Sequence, residues 1–238
     1  MTEEAIQFLA SSDKRLGVLI KRVGPCYLKP KKRRSPFESL VQSVAYQQLN
    51  GTAAATILGR VKALYPDKRF PTPEDLLATP DQRLRGAGLS RAKTAAIKDI
   101  ARKTIDGIVP TSRAISKMSN AEIIERLTTV RGVGPWTVEM LLIFTLGRTD
   151  VLPTTDYGVR KGFAVTYGWK ELPTPKELLA EGEKWKPHRT TAACSRLFCP
   201  TSARLSARPP PSCRVRQQVV RTSERSWPSC MEHNSAKR

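Results

Sequence analysis

The chain is short of acid. Its 238 residues hold 21 Asp and Glu against 41 Lys and Arg, a formal net charge of +20. A deficit that large favours a polyanionic partner, most simply nucleic acid. Apolar runs of membrane-spanning length are missing, which argues against a transmembrane helix. The first residues carry Glu3 and Glu4 rather than a basic region followed by an apolar one, so no secretory leader is expected. No basic amphipathic stretch stands apart from the rest, which argues against a membrane-surface role. Cysteine is sparse and unpaired in number: there are five, and Cys194, Cys199, Cys213 and Cys230 all fall in the last fifth of the chain. That pattern gives no disulfide framework and points to a reducing compartment. Strand-period alternation is absent too, as is any internal repeat.

What is present is one helix signal after another. Hydrophobic content is 39%, enough for a sizeable core built as one domain or two small lobes. Apolar residues recur at helical spacing through 3–23, where Ser12 or Asp13 is placed to cap a second helix. Ser35-Pro36-Phe-Glu38 reads as a helix start with a capping box, and Tyr46, Gln47 and Gln48 close that helix before Asn50-Gly51. Further starts appear at Thr72-Pro73, Thr79-Pro80, Ser90, Ser119-x-x-Glu122 and Thr174-Pro175. The prediction is an all-α fold.

The most informative stretch runs Leu127-Thr-Thr-Val-Arg-Gly-Val-Gly-Pro-Trp-Thr-Val-Glu-Met140 and then Gly147-Arg-Thr-Asp-Val-Leu-Pro-Thr-Thr-Asp156-Tyr-Gly-Val-Arg-Lys-Gly162. Gly132, Val133 and Gly134 look like a tight hairpin between two helices, the pair spanning about 122–146. Glycines let backbone approach a ligand closely. The helix beginning at Pro135 would turn its free N–H groups toward an anion such as a phosphodiester. Such contacts position nucleic acid without reading its sequence. On the hairpin alone, an ordinary helix–helix turn is an equally good reading. Asp156 falls where the next helix begins, a place that suits an anion.

Taken together these residues resemble the helix-hairpin-helix superfamily of DNA glycosylases, with the greatest likeness to the 3-methyladenine DNA glycosylase II class. Pro36-Phe-x-Ser-Leu-Val-x-Ser-Val-x-Tyr-Gln-Gln-Leu-x-Gly51 and Leu84-Arg-x-x-Gly-Leu-Ser-x-x-Lys93 look like further blocks of the same family. The likeness covers roughly residues 5–193. It implies a two-lobed helical fold with the active site in the cleft between the lobes.

By that resemblance Asp156 matches the catalytic aspartate, and a lone carboxylate suits the task. Breaking an N-glycosidic bond develops oxocarbenium character, which a nearby anion stabilises. The same group can orient or deprotonate the attacking water. Trp136 stands where strand-cleaving relatives carry a nucleophilic lysine, so no Schiff base is available there. That implies a monofunctional enzyme. Trp136, with Tyr46 and Gln47, is a candidate for the base pocket, since an aromatic face attracts a cationic alkylated purine. Trp136 as plain core is an equally good reading. The target base must leave the stack, and Gln48 is the candidate to fill the gap it vacates. For the DNA backbone the candidates are Gly132, Val133, Gly134, Thr137, Arg148, Arg160 and Lys161, with Arg91 and Lys93 behind them.

The resemblance implies a monomer acting on double-stranded DNA that contains alkylated bases, with no membrane partner. It implies the nucleoid-bearing cytoplasm of a bacterium or the nucleus of a eukaryote. No cofactor is expected. Several relatives hold an iron–sulfur cluster on closely spaced cysteines, but the spacing Cys-x4-Cys-x13-Cys-x16-Cys here does not match, so no metal is expected. Two rivals remain: a non-enzymatic helix-hairpin-helix module, and a glycosylase for another lesion. From Cys194 on, the family's aromatic final helix gives way to a basic Pro/Ser/Arg/Cys-rich tail. We expect residues 194–238 to be disordered or translated out of frame, and the core to comprise 1–193.

Overall fold

A computed structural model describes residues 2–24, 28, 30 and 34–194. Of the tail expected over 194–238, Cys194 is described and buried, and 195–238 lie outside the described residues. Among the described residues all regular structure is helical, as the missing strand period predicts. The order is α1 (Glu3–Ser12), α2 (Lys14–Val23), α3 (Pro36–Tyr46), α4 (Gly51–Ala63), α5 (Pro73–Ala78), α6 (Asp81–Gly86), α7 (Arg91–Ile105), α8 (Ser112–Ile115), α9 (Asn120–Thr128), α10 (Pro135–Leu141), α11 (Tyr157–Tyr167), α12 (Pro175–Glu181) and α13 (Arg189–Ala192). A π-helical segment (Leu142–Leu146) extends α10, and a 3-10 turn (Gly182–Trp185) extends α12.

The starts follow local chemistry. Ser90 accepts the N–H of Lys93, and Asn50 that of Ala53. Thr72, Ser119 and Thr174 each complete a capping box, with Asp75, Glu122 and Glu177 returning the bond. Two predicted starts differ. Ser35 caps α3, but Glu38 does not reach back to it. The Glu38 carboxylate is buried and pairs instead with Arg69 at 2.6 Å and Arg34 at 3.9 Å. Thr79 does not cap α6, whose N-cap is Pro80. Its hydroxyl donates to the Asp75 carbonyl at 2.8 Å and lies 2.6 Å from the Tyr65 hydroxyl. In both cases a tertiary partner outcompetes the local one.

The described residues divide into two compact units. One combines those up to 28 with those from 152 on; the other is built from those between. The first unit packs α1, α2, α11, α12 and α13 around Leu9, Leu16, Ile20, Phe163, Tyr167 and Trp185. Gly17 lets α2 cross α1 closely, since a Cβ there would stand 3.0 Å from the Ala10 carbonyl oxygen. Asp13, only 6% exposed, caps α2 through the Leu16 N–H and also receives the Tyr167 hydroxyl at 2.5 Å and the Trp185 indole N–H at 3.0 Å. Lys184 lies 3.2 Å from the same carboxylate. Burial pushes Asp13 up, but these hydrogen bonds and the Lys184 charge outweigh it and hold the carboxyl below its usual range.

The second unit is organised on α3, every residue of which is buried. It packs against α4, α7 and α10, while α7 also carries α5 and α6. A helix buried on all sides must satisfy its polar groups internally. Ser39 does so with Thr145 at 3.0 Å, and Gln42 accepts from Arg34.

Candidate functional site

The first group of predicted residues gathers where α3 ends. Gln47 is the C-cap of α3. Gln48 follows with φ +58, the left-handed conformation in which chains usually place glycine or asparagine after a helix. It is exposed, whereas Tyr46 is buried. The Gln47 side-chain amide donates to the Gly132 carbonyl at 3.0 Å and lies 3.5 Å from the Thr137 hydroxyl. This turn and the glycine hairpin are therefore joined directly.

The hairpin itself is tight because Gly132 adopts φ +75 and sits against α7, where a Cβ would stand 3.0 Å from that of Ala96. Val133 buries its side chain, and its N–H returns to the Val130 carbonyl at 3.1 Å. The Arg131 N–H donates to Asp99 on α7 at 2.7 Å. Gly134 is the N-cap of α10 with an extended backbone, and no side chain caps that helix. Beyond it, Pro135 takes the first helical position and Trp136 is half-buried in the first turn. The hairpin thus presents glycine backbone and an uncapped helix start, a surface suited to an anion.

Asp156 belongs to the other unit. Its N–H closes a turn onto Pro153 at 3.1 Å, and its Oδ1 accepts the Val159 N–H at 2.9 Å, making it the N-cap of α11. Gly158 leaves room for that carboxylate: a Cβ there would lie 3.1 Å from Oδ1. Asp156 is half-exposed, with its orientation fixed by the cap. Lys161 is exposed on the same helix.

Three residues expected on the DNA backbone have partners within the protein. The Arg148 guanidinium donates to the Met118 carbonyl at 2.6 Å and approaches those of Ile115 and Ser116 at 3.3 and 3.4 Å, closing the end of α8. Arg160 donates to the Pro173 carbonyl at 2.7 Å. Thr137 is buried beneath Gln47. The two arginines each serve backbone carbonyls of their own unit, which a phosphate would have to displace.

Residues that the sequence reading underrated are Asp99, which ties the hairpin, Gly158, which makes space for the carboxylate, and Lys93. The Lys93 ammonium donates to the carbonyls of Ala45 and Gln47 at 2.9 and 2.6 Å. Only its place in the block Gly88-Leu-Ser-x-x-Lys93 hinted at more than surface charge. Among the described residues no group of three His, Cys, Asp or Glu side chains converges to hold a metal ion. No described helix is long and apolar enough to cross a membrane.

Comparison with known proteins places the fold in a family. Residues 41–188 match the family model described as HhH-GPD superfamily base excision DNA repair protein. The DNA-3-methyladenine glycosylase 1 of Schizosaccharomyces pombe is 41% identical over 161 residues, 68% of this chain and 71% of that protein. The alkylbase DNA glycosidase-like protein mag2 of the same yeast is 32% identical over 192 residues, 80% of this chain and 90% of its own. Among solved structures, the S. pombe 3-methyladenine DNA glycosylase in complex with abasic DNA matches at 38% identity and a TM-score of 0.72, over 82% of this chain and 95% of that one. The DNA-3-methyladenine glycosidase of Bacillus halodurans matches at 34% identity and a TM-score of 0.74, over 81% and 87%. With its glycine hairpin opening α10 and Asp156 capping α11, the chain belongs to the HhH-GPD superfamily of base excision DNA repair proteins.

Proposed function

We propose that this protein is a monofunctional DNA glycosylase that extrudes alkylated purines, 3-methyladenine first, from double-stranded DNA and hydrolyses their N-glycosidic bond. The observation that carries the reading is Asp156, a carboxylate held as the N-cap of α11; the hairpin sequence, for its part, offers Trp136 and no lysine. Relatives named as 3-methyladenine glycosylases support the substrate class.

In this reading the hairpin at Gly132 and Gly134 holds a phosphodiester through backbone, and exposed Lys161 adds charge. Gln48 fills the gap left by the extruded nucleotide. Trp136, Tyr46 and Gln47 border the base. An alkylated purine already carries positive charge, so it leaves with the bonding electron pair as a neutral base. Asp156 stabilises the positive charge that remains on the sugar and accepts the proton of the water that adds to C1′. Without an amine at position 136 no covalent sugar–enzyme link forms there, and the product is an intact abasic strand. The protein acts as a monomer, in the compartment that holds the genome.

The test is incubation with duplex DNA treated with a methylating agent, followed by chromatography of released bases. Free 3-methyladenine is expected, with strand breaks appearing only after alkali and no product trapped by borohydride. Binding of methylated DNA without release of base would instead identify a non-catalytic damage-binding module.

A further inference from the structure

We infer that Lys93 is a positioning residue for base extrusion: it clamps the last carbonyls of α3 and so fixes the turn that presents Gln48. The inference rests on the glycosylase reading above and adds a residue to it.

A helix leaves its last carbonyls without partners inside the helix. At the end of α3 the Gln47 N–H serves the Ser43 and Val44 carbonyls, and the Leu49 N–H serves that of Tyr46 at 3.3 Å. The carbonyls of Ala45 and Gln47 are the ones the Lys93 ammonium takes. A cation at this end also complements the helix dipole. Lys93 is half-buried, and burial pulls its ammonium below the usual lysine range. A lysine placed only to meet phosphate would stay in water.

What the clamp holds is a costly conformation. Gln48 is the described non-glycine residue with positive φ, at a position where glycine would fit without strain. A long, exposed amide side chain there indicates that the side chain itself is used. The turn is secured from two directions. Lys93 grips it from α7, and Gln47 ties it to the Gly132 carbonyl of the hairpin. The same helix α7 registers the hairpin, through Ala96 under Gly132 and Asp99 on the Arg131 N–H. α7 is thus one rail that sets both the residue entering the duplex and the loop gripping its backbone. Rigid support of this kind is what precise positioning requires.

The experiment is a double-mutant cycle on the full chain with Lys93→Met and Gln48→Ala. It reads single-turnover base release, affinity for an abasic duplex, and the fluorescence of 2-aminopurine beside the lesion as a measure of extrusion. Lys93→Met should slow release on the order of tenfold to a hundredfold and suppress the fluorescence rise, with affinity changed by less than about threefold. Gln48→Ala should give a similar loss, and the double variant should lose little more than either single. Lys93→Arg, which keeps a charged donor, should recover most of the rate. Multiplicative losses in the double variant would overturn the inference, as would a wild-type rate and fluorescence in Lys93→Met. Should Lys93→Met unfold below the assay temperature, the cycle is run with Lys93→Gln under the same two criteria. Failure of the wild-type chain to release base would count against the glycosylase reading itself, not against the clamp.

Discussion

Tyr167 donates its hydroxyl to the Asp13 carboxylate at 2.5 Å, joining residues 154 positions apart in the chain. Trp185 adds its indole N–H from 172 positions away. Asp13→Ala would leave both donors buried without an acceptor, at a cost of about 3 kcal/mol. Because the folded-state carboxyl is held below its usual range, its contribution is complete above the unfolded value and is lost as pH falls through the folded one. Denaturant titrations of the wild type should therefore lose stability below a pH of about 4. Asp13→Asn should be less stable at neutral pH and should show a shallower decline in acid.

The two hairpin glycines should separate stability from binding. Gly132 has φ +75 and Ala96 3.0 Å from a virtual Cβ, so Gly132→Ala should destabilise the fold by about 1–2 kcal/mol. Gly134 has an extended backbone and open space around it. Gly134→Ala should melt like the wild type yet bind all DNA sequences about tenfold more weakly, because the lost approach corresponds to roughly one hydrogen bond to phosphate. Melting curves beside filter binding on two unrelated duplexes would decide; a fall in stability for Gly134→Ala would remove the distinction.

Asp156→Asn should abolish base release in a single-turnover assay, by at least about a hundredfold, while damaged-DNA binding persists. Asparagine keeps an oxygen for the Val159 N–H, so the cap and the melting temperature should survive. Gly158→Ala offers a graded version. Its methyl would sit against Oδ1 and shift the carboxylate, lowering the rate by about tenfold. Release at the wild-type rate by Asp156→Asn would end the assignment.

Salt dependence should sort the cations. Lys161 is exposed, so Lys161→Met should reduce the slope of log affinity against log salt by about one. Arg148 is engaged with the carbonyls at the end of α8, so Arg148→Met should cost about 1–3 kcal/mol of stability and leave the slope alone. The reverse pattern would restore Arg148 to the DNA surface.

The sequence was most readable where the deciding partner lies three or four residues away. The caps at Ser90, Ser119, Thr174 and Asp156, the hairpin and the all-helical class are of this kind. Reading failed where a distant group intervened. Glu38 left its capping box for Arg69, and Thr79 left α6 for Tyr65. Nothing in the apolar run after Met140 announced a π-helical turn. For the basic residues, too, the partners lie far off in the chain. Lys93, Lys103, Arg126 and Arg148 all donate to backbone carbonyls, work that composition counts as charge available to a polyanion. Among the candidate site residues, Gln47 and the hairpin do meet, but the bond between them crosses 85 positions and no local rule contains it.

The division of the chain also sets an order of assembly. Residues 34–151 form a unit from one continuous stretch, whereas the other unit needs both the first helices and everything from 152 to about Ala193. On a ribosome the hairpin segment can therefore reach its own fold while α1 and α2 still wait for Phe163, Tyr167 and Trp185 to emerge. Until then, Leu9, Leu16 and Ile20 have no lasting partners on α11, and the α11 cap that orients Asp156 has no packed helix behind it. On the proposed glycosylase reading, truncations that stop short of Ala193 should accumulate as DNA binders that do not release base.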